Sequence, residues 1–182
     1  VALPDYRRNR VPGATYFFTV NLADRRSRLL IDQVGTLRES VRRVRTALPF
    51  HIDAWVVLPE HMHCLWTLPE GDADFPRRWR AIKTLFCKRL APSEARTASA
   101  AWRGERGIWQ RRYWEHTIRD EMDYAAHMDY VHFNPVKHGL ADNPNAWIFS
   151  SFRRSVARGL YPPDWTGCDL ALPQDGERQK TP

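Results

Sequence analysis

The chain has 182 residues, 43% of them hydrophobic and eight of them Trp, which suffices for one core of ordinary size and excludes wholesale disorder. Lys and Arg number 28 against 21 Asp and Glu, a formal charge of +7 with a pI of about 9.7, which fits either a nucleic-acid binder or a basic protein with no polyanion partner. No apolar run approaches a membrane span, VALPDYRRNR holds no signal-peptide core, and Cys64, Cys87 and Cys168 form no C-x-x-C pair, so neither a disulfide framework nor a cysteine zinc site is indicated and a reducing cytoplasm is expected.

Residues 1–14 read as a flexible basic arm, with Arg7, Arg8 and Arg10 beside Tyr6 and with Pro4, Pro12 and Gly13 as punctuation. Such an arm either orders on DNA or is a frayed terminus. Thr15–Leu22, TYFFTVNL, is aromatic and β-branched and predicts a strand. A basic loop with Arg25, Arg26 and Arg28 follows. From Gln33 to Leu48, Val34, Leu37, Val41, Val44 and Leu48 recur at helical spacing, leaving Arg38, Arg42, Arg43 and Arg45 off the apolar stripe, and Pro49 ends the helix.

His51–Leu58 and His61–Leu68 read as two strands of an antiparallel hairpin, turned at Pro59 and Glu60. Alternate side chains of a strand point to opposite faces. His61 and His63 therefore share a face with Leu65 and Thr67, while Met62, Cys64, Trp66 and Leu68 point into a core. Two imidazoles side by side make a pair of metal ligands, or simply the wet side of a half-buried strand.

After the acidic loop Pro69–Phe75, Pro76 suits a helix start. Arg77–Leu90 carries Trp79, Ile82, Leu85, Phe86 and Leu90 at helical spacing. Its other face is expected to hold Arg77, Arg78, Arg80, Lys83, Lys88 and Arg89, either solvated or tracking a phosphate backbone. Ala91–Gly107 shows no periodicity and reads as a mobile loop containing Trp102. Ile108–Thr117 predicts a fourth strand, with Trp109, Arg111, Tyr113 and Glu115 on one side and Gln110, Arg112, Trp114 and His116 on the other. The order strand, helix, strand, strand, helix, strand is the split βαβ, ferredoxin-like arrangement (βαββαβ): an α+β fold whose antiparallel sheet carries both helices on one face. Its first and third strands are central, which places the His pair mid-sheet.

Asp120–Asn134 predicts an additional helix with acids in its first turn, ended by Pro135. His127, Tyr130 and Asn134 share one of its faces, with Tyr124, Met128 and Val131 on a packing side. A tyrosine can act as a covalent nucleophile, but a phenol with an ordinary pKa near 10 needs help at neutral pH. A divalent cation held by two His and an amide oxygen would supply it. An interior Tyr with a capping Asn is the alternative.

LPEHMH in the hairpin, WEHTIRD before the last helix and DYVHFNPVKHGL at its end resemble the REP-associated tyrosine transposases, single-tyrosine His-hydrophobe-His enzymes related to the single-strand insertion-sequence transposases. YFFTVNLADRRSRLL and FSSFRRSVARGLYPPDW extend the resemblance over roughly Tyr6 to Trp165. It implies a metal-dependent single-strand DNA endonuclease and strand transferase acting on REP palindromes folded as hairpins. By residue-to-residue match, Tyr130 is the nucleophile that forms a 5′-phosphotyrosine, and His61 and His63 are metal ligands. Asn134 is the third ligand, standing where the insertion-sequence enzymes commonly have Gln. Mg²⁺ or Mn²⁺ suits such a site. The arm residues Arg7, Arg8 and Arg10 become candidate readers of a tetranucleotide beside the hairpin, and Arg77, Arg78 and Lys83 candidate phosphate contacts. A catalytic domain over residues 15–160, a tail over 161–182, a monomeric state with a dimer as the alternative, and no membrane partner complete the expectation. Lys137 and His138 would touch phosphate or cap the helix, His116 would either approach the site from the fourth strand or make a structural hydrogen bond, and His51 and His132 are read as structural. A non-catalytic nucleic-acid-binding ferredoxin-like module is the competing reading, and a metal phosphodiesterase using water as nucleophile is another.

Overall fold

The computed structural model describes residues 9–91 and 106–167. Strand β1 is Thr15–Asn21, followed by the single-turn helix α1, Leu29–Asp32, and by α2, Val34–Ala47. The hairpin strands are β2, His51–Val57, and β3, His61–Thr67; α3 is Phe75–Arg89 and β4 is Trp114–Thr117. The long helix α4, Glu121–Lys137, precedes a 3-10 turn at Pro144–Ala146 and α5, Phe152–Ala157. The four strands pair antiparallel in the order β2-β3-β1-β4, so β1 and β3 are central, as the ferredoxin-like order requires.

Five consecutive residues of β1, Tyr16–Val20, are buried because both faces of the sheet are covered. Tyr16, Phe18 and Val20 join Met62, Cys64 and Trp66 beneath α2 and α3. Trp66 stacks on Trp79 of α3 with ring centroids 4.2 Å apart. Each indole so buried removes on the order of 200 Å² from water, which stabilises by roughly 5 kcal/mol. On the opposite face, Phe17 and Leu65 pack with Met128, Tyr130 and Val131 of α4. The register sets Thr19 opposite His63 and Asn21 opposite His61, which puts the His pair on this second face.

Four expectations are corrected. Arg78 is buried rather than on the exposed face of α3. Spaced three from Phe75 and four from Ile82, it falls on the apolar stripe, where the loop carboxylate of Asp72 receives its guanidinium in two bonds of 3.1 and 2.7 Å. The same guanidinium donates to the carbonyls of Pro49 and Asp74. It is therefore not a phosphate contact. Second, the fourth strand is short. β1 advances three residues from Thr19 to Leu22 while its neighbour advances five, from Trp114 back to Trp109, so two residues of the charged stretch loop out of the ladder.

Third, Pro135 lies inside α4. Within the last turn it forfeits only its own bond to the Val131 carbonyl. The helix then closes one turn later through a Schellman cap: Leu140 N–H donates to Pro135 O, and Gly139, at φ 65°, donates to Val136 O. Fourth, the folded unit overruns both expected boundaries. At the start, Val11 N–H and O both bond Tyr16 Oη at 2.7 Å, and Gly13 N–H donates to Asp72 O, so these residues of the arm are fastened down. At the end, Tyr161 and Trp165 pack on Phe152, and Tyr161 Oη donates to Asp129 at 2.6 Å. The edge of β2 is covered by the segment around Ser150, which bridges Val56 and shields the unpaired backbone groups of that strand.

Candidate active site

His61 and His63 are 1% and 0% exposed at the centre of the sheet, with ring centroids 4.9 Å apart. Each ring is held through Nδ1. Thr19, the cross-strand neighbour of His63, sets its hydroxyl 2.9 Å from His63 Nδ1. The Glu60 carboxylate lies 3.0 Å from His61 Nδ1. Burial pushes the Glu60 carboxyl up, but the hydrogen bond to His61 and the nearby Arg25 outweigh it, and the group stays below its ordinary value. An imidazole engaged at Nδ1 by a hydroxyl or a carboxylate offers Nε2 as its metal ligand.

Tyr130 reaches the same place from α4. Its ring centroid is 5.1 Å from that of His63 and its residue is 1% exposed. Seven residues further along the helix, Lys137 donates its ammonium to Tyr130 Oη at 3.1 Å, with Nζ 4.7 Å from the ring centroid. An ammonium at that distance favours negative charge on the phenol oxygen. His138 adds a third imidazole, 5.1 Å from His61.

Asn134, one helical turn from Tyr130, is fully buried, and neither Oδ1 nor Nδ2 has a hydrogen-bond partner among the described residues. An amide buried with both atoms unpaired costs on the order of 2 kcal/mol or more, which calls for a missing partner. Two imidazoles and an amide oxygen make a donor set that a divalent ion with remaining water positions accepts. The residues present therefore fit such an ion.

The other expected site residues are dispersed. Arg7 and Arg8 lie outside the described residues, and Arg10 is exposed where the description begins. Arg77 is exposed near the start of α3. Lys83 is half-buried, donating to Gln110 O at 3.0 Å with Nζ 5.5 Å from the Trp109 centroid and 5.2 Å from that of Tyr113. It lines a groove of about 670 Å³ with Arg80, Lys88, Arg106 and Arg111. His127 shares the sheet-facing side of α4 with Tyr130, both rings packing on Phe17, and it bonds back to Asp123.

No family model matches the chain. It is 51% identical over 176 residues to a REP-associated tyrosine transposase of Escherichia coli strain K12, covering 97% of this chain and 98% of that one. This chain belongs to the REP-associated tyrosine transposase family. A Haemophilus influenzae protein named for the same family is 41% identical over 167 residues, covering 91% of this chain and 94% of the relative. The solved structure of a REP-associated tyrosine transposase bound to a REP hairpin superposes with a TM-score of 0.83 at 50% identity, covering 97% of this chain and 98% of that one. The ferredoxin-like fold with its extra helix is thus that of the transposase family, and the chain is a DNA transposase.

Sequence reasoning placed three groups of this transposase less well. Lys137 was expected at phosphate or in a helix cap because Pro135 was read as a stop, which hid its seven-residue spacing from Tyr130 on one helix. Thr19 and Glu60 were not singled out as partners of the His pair. Glu60 adjoins His61 in sequence, a usable signal, but Thr19 becomes a neighbour of His63 only once the strand register is known.

Proposed function

We propose that the transposase cleaves and rejoins single-stranded DNA at REP hairpins through a covalent 5′-phosphotyrosine on Tyr130, with Mg²⁺ or Mn²⁺ held by His61, His63 and Asn134. The observation that carries the reading is the meeting of the His pair and the Tyr130 ring on one face of the sheet, with the buried unpaired Asn134 amide one turn along the helix that bears Tyr130. Bound there, the ion would polarise the scissile phosphate and offset developing charge.

Tyr130 Oη attacks phosphorus, the Oη–P bond forms, the P–O3′ bond breaks, and the phenol proton passes in net to the departing 3′ oxygen. Lys137 favours the anionic phenol oxygen at the moment of attack. Thr19 and Glu60 hold the two rings in one orientation, so no reorganisation is needed when substrate arrives. Rejoining reverses the step with another 3′-hydroxyl and conserves the phosphodiester energy.

Arg7, Arg8 and Arg10 are proposed to read the bases flanking the stem, and Arg77, Lys83 and the basic groove around it to contact phosphates. The nucleophile and the His pair come from one chain, which supports action as a monomer. No described helix is long and apolar enough to cross a membrane, and action on a DNA hairpin would support a cytoplasmic site of activity.

The test is Tyr130→Phe. The variant is expected to bind a labelled REP hairpin with unchanged affinity and to give no protein–DNA adduct on a denaturing gel with Mn²⁺, where the parent protein gives one. An adduct that persists removes Tyr130 from the role.

A further inference from the structure

On the same face of the sheet, but beyond Phe17, lies a second group of metal-ligating side chains. His116 comes from β4, and Asp123 and His127 come from the first two turns of α4. One ligand atom from each lies within 4.8 Å of the others. His116 Nε2 is 2.7 Å from one Asp123 carboxylate oxygen, and His127 Nδ1 is 3.1 Å from the other. The rings stack nearly parallel, 4.8 Å apart. Phe17 separates this group from the first, its ring 4.8 Å from His127 and 5.6 Å from His63.

We propose that His116, Asp123 and His127 bind a second divalent ion, of the zinc class, distinct from the one assigned to His61, His63 and Asn134. Two imidazoles and one carboxylate are borderline donors that suit Zn²⁺ or Co²⁺ better than Mg²⁺. A tetrahedral ion about 2.1 Å from each ligand sets its donor atoms about 3.4 Å apart, so the two contacts to Asp123, now 2.7 and 3.1 Å, would open while the group as a whole, spread within 4.8 Å, would close around the ion. Beside them lies a cavity of about 470 Å³, lined also by Trp114, Asp120, Met122 and Ala126, which leaves room for a water ligand. His127 Nδ1 also lies 2.8 Å from the Asp123 backbone carbonyl, a contact that would yield to the ion. The Arg119 guanidinium, 3.2 Å from Asp123 on an exposed side chain, is the cation that the ion displaces. The site would pin the start of α4 to the sheet edge, seven residues ahead of Tyr130 on the same helix.

The experiment uses the full chain with the first site removed, His61→Ala/His63→Ala. Equilibrium dialysis at about 100 μM Zn²⁺ should return close to one ion per chain, and Co²⁺ should give the visible absorption of a low-coordinate site. Adding His116→Gln or Asp123→Asn, with folding verified by circular dichroism, should weaken that binding at least about tenfold. No binding by the double variant, or binding that survives both additions, overturns the proposal. Should those variants fail to fold, zinc-soaked crystals of the unaltered protein decide the matter: an anomalous peak between His116 and His127 supports the site, and its absence there refutes it.

Discussion

Replacing Asn134 with leucine tests the buried amide by its effect on stability rather than on activity. The side chain is fully buried and neither polar atom finds a partner among the described residues. Leucine has nearly the same shape, so the exchange removes two desolvated polar groups while leaving the packing around the side chain close to intact. Each unpaired group costs about 1–3 kcal/mol, and partial compensation plus slight overpacking leaves a net gain of about 2 kcal/mol for the metal-free variant. For a domain of this size that gain raises Tm by about 4–8 °C. Mn²⁺ at a hundredfold excess over its Kd should stabilise the parent by about 2.7 kcal/mol and the variant far less. Thermal denaturation of both proteins, with chelator and then with Mn²⁺, measures the two effects. If Asn134→Leu is destabilised by 1 kcal/mol or more in chelator, or gains as much from Mn²⁺ as the parent does, the amide is not a vacant ligand and the argument fails.

Lys137→Met should slow hairpin cleavage at neutral pH by roughly tenfold to a hundredfold, with hairpin affinity in filter binding unchanged and with Lys137→Arg restoring much of the rate; a fall in affinity with unchanged single-turnover rate would make Lys137 a phosphate contact instead. Asp72→Ala should destabilise by on the order of 2 kcal/mol in urea unfolding, less than the full penalty for an orphaned buried charge because the Pro49 and Asp74 carbonyls still accept from Arg78. Burial, with a smaller contribution from Arg154, depresses the His132 imidazole from 6.5 to about 3. The unfolded chain therefore binds one more proton in that interval, so stability is complete above pH 6.5 and falls as pH drops toward 3, by about 1.4 kcal/mol per pH unit. His132→Leu should flatten that slope by one proton, and an unchanged slope would show that His132 titrates normally.

The elements with strong periodicity were legible before the structure. Alternation along HMHCLWT assigned the correct side to each residue of β3, because a strand buried on both faces has no freedom to slip by one. The three-and-four spacing of α4 sets His127, Tyr130 and Asn134 on one buried face, and His127 and Tyr130 both pack on Phe17; the stacking of His127 on His116 depends on the sheet and leaves no mark in that spacing. Arg78 was misread because composition marks an arginine as exposed, whereas its stripe position is decided by a carboxylate six residues upstream. Pro135 misled because the rule about prolines concerns helix interiors, and a Schellman cap at Gly139, four residues on, makes the last turn tolerant. The loop-out before β4 left no trace in periodicity, since Arg111 and Arg112 satisfy an alternating pattern whether or not they pair.

Tyr130, Asn134 and Lys137 ride on a single rod whose far end is locked by the cap at Gly139. Their Cα positions are therefore fixed relative to one another, and any rotation of the rod about its long axis would carry the three side chains together, so in the proposed reaction nucleophile, ligand and ammonium would be aligned by one rigid element.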